Sequence, residues 1–461
     1  MERRIAGVET EYGIACLKDG KQRMSADEIA YQLFQPVVEQ YHSSNVFTRN
    51  GSRLYLDVGA HPEYATCECD SVFQLLTYIR AGDEEMNALA LEAEARLEKT
   101  GIGGEVYLFK NNTDASGSTF GSHENYLIER DIDFYNLSKA LIPFLVTRQL
   151  ICGAGKVLKD PETGETTFRL SQRAEHVFDG VSSATTRSRP IINTRDEPLA
   201  DSERFRRLHV IVGDSTMAEP TTALKIGTTM MMLEMLEDGV DFPDFTPQDP
   251  IKAIRIVSKD IFGHAKFPLQ NGADKEFASA LETQKICFEL ANDWFQTRRI
   301  NDQTKCYKYV LKLWRKVLSA IESQDLTSLE RDIDWVIKRS LIKSQCDRQD
   351  MELADPRCAF LDLTYHDIRP GRGIFSLLEQ RGLVNRITTP ETVSEARNTP
   401  PKTTRAYGRG LFVARALDTN TPFTADWARV KTLSNDPCEL EMDDPFTPIT
   451  PHVESLISAM G

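Results

Sequence analysis

Hydrophobic and polar positions alternate along several short stretches in the first half of the chain. Residues 53–58 ("RLYLDV") are the clearest case, because leucine and valine alternate there with Arg53, Tyr55 and Asp57. Successive side chains of a strand point to opposite faces, so this stretch predicts a strand with one apolar and one strongly polar face. Similar patterns predict further strands at residues 3–15, 104–109, 124–129 and 206–213.

Apolar positions with helical spacing occur in longer stretches, most of them in the second half. In residues 83–99 and 305–322 they recur every three or four positions, which predicts amphipathic helices. Early strands and late helices are not the regular alternation of a doubly wound parallel sheet, so we predict an α+β fold with an antiparallel or mixed sheet. Further helices are predicted at residues 26–41, 136–150, 220–237, 277–297 and 327–343.

The polar stretches between these elements suggest how the chain is divided. Residues 111–126 and 179–198 are rich in polar residues, with small residues or prolines among them, and we expect long loops there. Prolines and threonines are concentrated in residues 388–404. We therefore predict a large domain at residues 1–387 and a small C-terminal domain at residues 388–461, packed on the large one.

Composition excludes several classes of protein. The 461 residues are 41% hydrophobic and 27% charged, which is typical of globular proteins. No apolar run approaches the roughly 20 residues that span a bilayer, and no signal-like segment opens the chain, so we expect a cytoplasmic protein without a membrane partner. The net charge of −14 argues against general nucleic-acid binding. Six arginines between residues 187 and 207 form either a solvated loop or a site for an anion such as a nucleotide phosphate.

The nine cysteines are scattered, and no CxxC pair occurs among them. This usage fits a reducing compartment and indicates neither a disulfide framework nor a structural zinc site. Cys67 and Cys69 share the alternation of a strand, and we expect both to be small buried side chains.

Carboxylates on predicted strand faces give the strongest chemical signal. In "GVETEYGI", Glu9 and Glu11 share a face, and two carboxylates about 7 Å apart repel each other unless a cation lies near them. Hard divalent ions suit such a pair, although an exposed strand edge could also carry it. The strand at residues 53–58 adds Asp57, and Glu63 follows shortly after.

Arg53 extends this prediction from a metal ion to a nucleotide. Carboxylates and an arginine on neighbouring strands are costly to bury unless metal and phosphate neutralise them. Mg²⁺ on the carboxylates would bridge phosphate oxygens, while Arg53 would pair with a phosphate. Gly59 and Pro62 interrupt the alternation beyond this strand. The faces of Glu63 and Thr66 therefore stay open.

A third polar motif, "GSHENY", ends the loop at residues 111–126. Two interpretations are open for His123 and Glu124. They either cap a turn at a strand entrance, or lie at the rim of the metal site or against the substrate.

Eight motifs together resemble one family along essentially the whole chain: "GVETEYGI", "NVFTRNGSRLYLDVGAHPEYATCECDS", "YLFKNNTD", "GSHENYLI", "QLICGAGKV", "SQRAEHV", "SSATTRSRPIINTRDEP" and "RLHVIVGDS". The chain resembles the Pup ligases (proteasome accessory factor A), of the carboxylate–amine ligase superfamily that includes glutamine synthetase and glutamate–cysteine ligase. The resemblance implies a large glutamine synthetase-like domain, whose sheet forms a concave cradle packed by helices, and a small C-terminal domain that closes on the nucleotide.

The activity that this resemblance implies is ATP-dependent ligation. The C-terminal glutamate of the small protein Pup is phosphorylated on its side-chain carboxylate, giving a γ-glutamyl phosphate. A lysine ε-amine of a target protein then displaces phosphate, and the isopeptide bond marks the target for proteasomal degradation. The implied site residues are Glu9, Tyr55 and Glu63 for Mg²⁺, Arg53, Thr66 and Trp427 for ATP, and Asp57 as the proton acceptor.

Three alternatives stay open at this point. The sister Pup deamidase carries an inserted loop, for which the 48 residues from Glu9 to Asp57 leave no room. A small-molecule glutamate–amine ligase would use the same carboxylates with a free amine. A non-catalytic Pup-binding protein would have no reason to keep so costly a cluster. Glu11 is a further candidate ligand, and Trp427 could instead pack in the core of the small domain.

Overall fold

A computed structural model describes residues 1, 3–57, 59–114, 117–160, 163–184, 189–298, 304–434 and 436–460. Its strands are β1 (Ala6–Glu11), β2 (Gly13–Lys18), β3 (Lys21–Met24), β4 (Asn45–Phe47), β5 (Arg53–Asp57), β6 (His61–Ala65), β7 (Glu105–Phe109), β8 (Ser122–Glu129), β9 (Lys156–Lys159), β10 (Thr166–Arg169), β11 (Asp179–Ser182), β12 (Pro190–Asn193), β13 (Phe205–Val210), β14 (Lys266–Pro268), β15 (Phe277–Ser279), β16 (Phe423–Ala425), β17 (Arg429–Thr432) and β18 (Glu439–Glu441).

The α-helices are concentrated after β8. They are α1 (Ala26–Tyr41), α2 (Val72–Lys99), α3 (Phe134–Thr147), α4 (Gln149–Cys152), α5 (Glu219–Glu237), α6 (Pro250–Lys259), α7 (Ala280–Thr297), α8 (Lys305–Glu322), α9 (Asp334–Gln349), α10 (Pro356–Tyr365), α11 (Ile374–Gln380), α12 (Pro390–Ala396), α13 (Ala406–Asp418) and α14 (Pro451–Ala459).

An eight-stranded sheet forms the centre of the molecule, in the order β11-β12-β13-β8-β1-β6-β5-β4. The β11–β12 pair is parallel, and the other neighbouring pairs are antiparallel. The α+β fold with a mixed sheet is therefore confirmed. β6 lies between β1 and β5. The strand predicted at residues 53–58 is therefore not adjacent to the N-terminal strand.

The sheet buries its apolar face against helices. α2 contacts β1, α5 contacts β8 and α3 contacts β12. Side chains from this face, such as Val8, Tyr126 and Leu208, belong to one large buried cluster with side chains of these helices. Because strand side chains alternate, the residues between them point to the other face, which is where the candidate site lies.

The prediction of one strand over residues 3–15 is wrong. The chain leaves the central sheet at Tyr12, and β2 pairs with β3 and β7 in a separate sheet. Tyr12 is buried, and its hydroxyl donates a hydrogen bond to Asp83 of α2 at 2.7 Å. The alternation along the sequence does not show this break in the strand. The break coincides with the burial of Tyr12 and its hydrogen bond to Asp83.

The other strand and helix predictions are largely confirmed. The strands at residues 104–109, 124–129 and 206–213 correspond to β7, β8 and β13 with small shifts of their ends, and β5 covers residues 53–57, whereas residue 58 lies outside the described residues. α1 and α8 have the predicted ends. α2 begins earlier than predicted, at residue 72, where Ser71 caps it by accepting the Gln74 N–H.

The loop predictions are only partly correct. Residues 111–121 connect β7 to β8 without a strand or helix among their described members, whereas residues 122–126 already belong to β8. Residues 179–198 contain β11 and β12, so the prediction of one continuous loop there is wrong. β12 is buried and pairs with β13, and this pairing outweighs the polar composition of the stretch.

The C-terminal segment has a small hydrophobic cluster of its own. Phe412, Val413, Val430 and Val453 form it together with Phe47 of β4. α12 instead packs on α2 of the main body. The division at residue 387 stays a prediction.

None of the described helices combines the length and the apolar character needed to cross a bilayer. All nine cysteines lie among the described residues and are free thiols, as expected. Cys67 and Cys69 are fully buried, which confirms that prediction.

Candidate active site

The polar face of the central sheet brings the predicted site residues together through strand pairing. Glu11 of β1 lies opposite Glu63 of β6, which in turn lies opposite Tyr55 of β5. On the other edge of β1, Glu9 lies opposite His123 of β8. Paired residues of a sheet share a face, so all these side chains point into the same space.

The turn between β5 and β6 decides the face of Glu63. Gly59 has a φ of +90° and Ala60 a φ of +58°, and the Ala60 N–H donates to the Asp57 carbonyl at 3.0 Å. Asp57 therefore pairs with His61, and Glu63 falls on the same face as Asp57. The question that the sequence left open for Glu63 is settled by this turn.

Glu11, Asp57 and Glu63 form the first carboxylate cluster, with oxygen atoms within 4.8 Å of one another. Burial and the charges of Glu9 and Glu11 raise the pKa of Glu63 well above its usual value. Asp57 is exposed at the end of β5, whereas Glu63 is buried. His61 Nδ1 lies 3.6 Å from Glu11, but Glu63 itself lies among like charges, and a bound cation would relieve their repulsion.

Glu9, His123 and His209 form a second cluster, again within 4.8 Å. Glu9 accepts a hydrogen bond from the Asn125 amide at 3.0 Å and has His123 Nδ1 at 3.3 Å. Burial opposes ionisation of Glu9, yet His123, His209 and Arg207 hold its pKa at about 2.

His209 is the least satisfied member of the second cluster. Burial lowers its pKa to about 3, so the imidazole is neutral at physiological pH. Its Nε2 atom lies 3.8 Å from Glu9 and is without a hydrogen-bond partner among the described residues. A neutral imidazole beside a carboxylate is able to ligate a divalent cation.

Tyr55 and Arg53 lie next to the first cluster. Burial and the neighbouring Glu9 and Glu63 raise the pKa of Tyr55 well above its usual value, so the phenol stays protonated and hydrogen-bonds to Glu63. The Arg53 guanidinium stacks on the Tyr55 ring at 4.2 Å and donates to Asn45 at 2.9 Å.

Two adjoining cavities lie over this face. The larger, about 720 Å³, is lined by Arg53, Trp427 and other residues of β4, β5 and the C-terminal strands. The smaller is largely apolar, and Thr66 lines it. Thr66 is buried, and its hydroxyl accepts a hydrogen bond from the Val8 N–H at 3.0 Å. Four residues line both cavities: Glu9, Leu199, Arg207 and Trp427.

The two residues of "GSHENY" with open interpretations, His123 and Glu124, lie on opposite faces of β8. His123 points into the site, whereas Glu124 points to the opposite face and is fully buried. Arg148 binds both oxygens of Glu124 at 2.6 and 2.8 Å, and the Tyr126 hydroxyl donates at 2.6 Å. A place for Glu124 at the rim of the metal site is therefore wrong.

The arginine-rich stretch contributes one described side chain to the cavities over the sheet. Arg207 lines both, lies 3.9 Å from Glu9 and donates to the Asn125 side chain at 2.7 Å. Arg206 points to the other face, against Phe134. Arg187 lies outside the described residues. Sequence reasoning did not assign a role to His209, although it shares a face with Arg207 in the predicted strand.

The site thus combines two carboxylate-containing clusters with a cleft whose wall carries four cations as well as four carboxylates, those of Glu9, Glu197, Asp426 and Glu439. Arg53, Arg207, Arg429 and Lys431 all line the larger cavity. Such a combination is chemically suited to divalent cations beside a phosphorylated ligand.

Comparison with known proteins gives the family. A family model described as "Pup-ligase protein" matches residues 4–431. A Pup–protein ligase of Mycobacterium sp. (strain KMS) is 53% identical over 460 residues, covering 100% of both chains. The chain belongs to the Pup-ligase family, which confirms the resemblance seen in its motifs.

Solved structures agree. The ligase PafA in complex with the prokaryotic ubiquitin-like protein Pup has a TM-score of 0.95 and 46% identity, over 99% of this chain and 91% of that one. PafA in complex with ADP has a TM-score of 0.86 and 48% identity, over 94% of both chains.

Proposed function

We propose that the protein is an ATP-dependent Pup–protein ligase. It joins the side-chain carboxylate of the C-terminal glutamate of Pup to a lysine ε-amine of a target protein through a γ-glutamyl phosphate, in the cytoplasm. The observation that carries this proposal is the full-length similarity to a Pup–protein ligase at 53% identity. Relatives solved with Pup and with ADP support the two substrates.

The two carboxylate clusters are suited to hold Mg²⁺. Mg²⁺ held by them would neutralise charge between the γ-phosphate and the attacking carboxylate. Glu63 and Glu11 offer oxygen ligands in one cluster, and Glu9 offers one in the other, beside the neutral His209. Tyr55 acts on this set through its hydrogen bond with Glu63 and keeps that carboxyl in place.

Asp57 is suited to accept the proton of the incoming lysine. An ammonium group must lose a proton before its nitrogen attacks the acyl phosphate. Asp57 is the exposed member of its cluster, at the end of β5, where a lysine of another protein reaches it without entering the core. Its position beside two further carboxylates also attracts the cationic amine.

The cleft is suited to bind ATP. Arg53 and Arg207 supply positive charge for phosphates, and the smaller apolar cavity beside Thr66 suits the base. Trp427 lines both cavities, so the C-terminal domain, residues 388–461, forms one wall of the nucleotide site in this proposal.

A direct assay tests the function. The purified protein is incubated with ATP, Mg²⁺, a target protein and Pup ending in glutamate, and we expect release of phosphate and a conjugate whose mass is the sum of the two proteins less one water. Parallel reactions contain Pup ending in glutamine, or free glutamate with ammonia or cysteine. Deamidation of the glutamine form without conjugation would assign the sister activity, and phosphate release with free glutamate would assign a small-molecule ligase.

A further inference from the structure

Glu68 follows β6 and lies in the wall of the smaller cavity, where two arginines of the C-terminal segment bind it. Arg405, at the N-terminal cap of α13, donates to Glu68 Oε1 at 2.7 Å. Arg409, one turn further along α13, binds Oε1 at 3.0 Å and also Oε2. Glu68 is 7% exposed and both arginines are buried, so these are desolvated ion pairs.

Arg409 connects Glu68 to Trp427. Its Nη1 atom donates to the Trp427 carbonyl at 2.8 Å, and its guanidinium lies 5.1 Å from the centre of the Trp427 ring and 4.8 Å from that of Phe47. Phe47 and Trp427 are themselves 4.9 Å apart, edge to face. Both the backbone and the ring of Trp427 are thus held by one cation.

Arg405 connects Glu68 to Leu199. Its Nη2 atom donates to the Leu199 carbonyl at 2.5 Å, and its Nη1 atom donates to the Met442 carbonyl at 3.0 Å. Leu199 has a φ of +54°, a left-handed conformation that is unfavourable for a leucine and persists only where its surroundings hold it.

Both residues at the ends of these connections lie where the two cavities meet. Leu199 and Trp427 are two of the four residues that line both cavities. Burial alone would raise the pKa of Glu68, but Arg409 and Arg405 lower it to about 2, so the carboxylate is charged at physiological pH. One buried anion therefore holds two separate parts of the cleft wall.

We propose that Glu68 is a positioning residue of the nucleotide cleft, which fixes Trp427 through Arg409 and Leu199 through Arg405. This inference rests on the proposed function in one respect, that the ligand of the cleft is a nucleotide. Glu68 itself need not touch the nucleotide, because it acts through the two arginines.

The test measures ADP binding by calorimetry and the steady-state constants for ATP in wild type, Glu68→Gln and Arg409→Lys. We expect the Kd for ADP and the KM for ATP to rise about tenfold, with kcat within about twofold of wild type, because the loss is in ligand binding. Arg409→Lys keeps a cation beside Glu68 and so retains a folded chain, while it loses the planar contact with the Trp427 ring.

A matched control separates positioning from stability. Glu234 is another buried glutamate that binds an arginine, Arg298 at 2.9 Å, and accepts from the Tyr307 hydroxyl at 2.5 Å, but it lines neither cavity. Glu234→Gln should lower the unfolding temperature and leave the Kd for ADP unchanged. An equal rise in Kd in this control would overturn the inference.

A double-mutant cycle tests the route through Trp427. If Arg409 acts through that residue, Arg409→Lys should weaken ADP binding by less than about twofold in a Trp427→Ala background. Trp427 emission gives a second measurement, since the other tryptophans, Trp294, Trp314 and Trp335, are buried and line neither cavity. In Arg409→Lys we expect emission shifted to longer wavelength before nucleotide is added.

The outcomes also separate this inference from the proposed function. A wild-type protein that binds ADP but forms no Pup conjugate contradicts the function, while the binding experiments still decide the role of Glu68. Wild-type affinity for ADP in both Glu68→Gln and Arg409→Lys, or fully additive effects in the cycle, sinks the inference alone.

Discussion

The two faces of the central sheet carry buried carboxylates in opposite surroundings. On the apolar face, Glu124 is bound by Arg148 through both oxygens and by the Tyr126 hydroxyl. On the polar face, Glu63 has Glu9 and Glu11 as its charged neighbours. Arg148 holds the pKa of Glu124 low against the effect of burial, whereas the pKa of Glu63 is raised.

This difference shows how to tell a structural carboxylate from one that awaits a ligand. Burial does not distinguish them, because both side chains are almost fully inaccessible. The distinction lies in the neighbouring charges: Glu124 has its counter-charge within the fold, while Glu63 lies among other carboxylates. Glu68, with two arginines, belongs with Glu124 in this respect, although its arginines extend to the cleft.

The largest effect is expected at the exposed end of the polar face. Asp57→Asn should lower the rate of conjugation by about 10²- to 10⁴-fold, the range typical of losing a general base. ADP affinity and the unfolding temperature should stay near wild type, since Asp57 is solvent-exposed. Conjugation at the wild-type rate would show that another group takes the proton.

Replacing the structural carboxylate should affect the fold instead. Glu124→Gln leaves Arg148 buried without its counter-charge, which should lower the free energy of unfolding by about 3–5 kcal/mol. Denaturant unfolding measures this directly. Glu63→Gln removes a carboxyl group that lies among like charges and should leave the stability of the metal-free protein unchanged or higher, while the Mg²⁺ requirement of activity rises. If the two variants lose equal stability, the comparison of the two faces is wrong.

The raised pKa of Glu63 gives the comparison a pH signature. Between its usual pKa of about 4.5 and its higher value in the fold, the folded chain binds a proton that the unfolded chain lacks, so this group's stabilising contribution is lost as pH rises. Without metal, wild type should lose more free energy of unfolding than Glu63→Gln as pH rises through this window.

Thermal or denaturant unfolding of both proteins across this pH range, with and without Mg²⁺, measures the effect. Mg²⁺ should remove the difference, because the ion stabilises the ionised form of Glu63. Glu124 has the opposite sign: its stabilising contribution is present above its usual pKa and is lost as pH falls.

The smallest effect is expected at Tyr55. Tyr55→Phe removes the hydroxyl that hydrogen-bonds to Glu63, and should raise the Mg²⁺ concentration for half-maximal activity about fivefold. Arg53→Ala serves as the comparison, because it should raise the KM for ATP rather than the Mg²⁺ requirement. A loss of Mg²⁺ affinity in Tyr55→Phe as great as in Glu63→Gln would instead make the tyrosine oxygen a direct ligand.

The sequence predicts those features that depend on neighbours along the chain. Alternation identified the polar side of Arg53, Tyr55 and Asp57, and helical spacing gave α1 and α8 with their ends. The resemblance supplied the fold and the roles proposed for the site residues. Cys67 and Cys69 were expected to be buried and are.

What the sequence did not predict depends on contacts between distant segments. The break at Tyr12 coincides with its hydrogen bond to Asp83, and the face of Glu63 follows from left-handed residues in the β5–β6 turn. His209 enters the site because β13 pairs with β8, which in turn pairs with β1. No local pattern encodes that pairing.

One glycine on the polar face restricts what evolution or design can change there. A Cβ atom at Gly121 would lie 2.6 Å from Glu11 Oε1 and 2.4 Å from His123 Nε2. Alanine at this position would force the ends of two side chains, one from each cluster, to move. A residue without a side chain thus leaves open the space in which the ends of Glu11 and His123 lie.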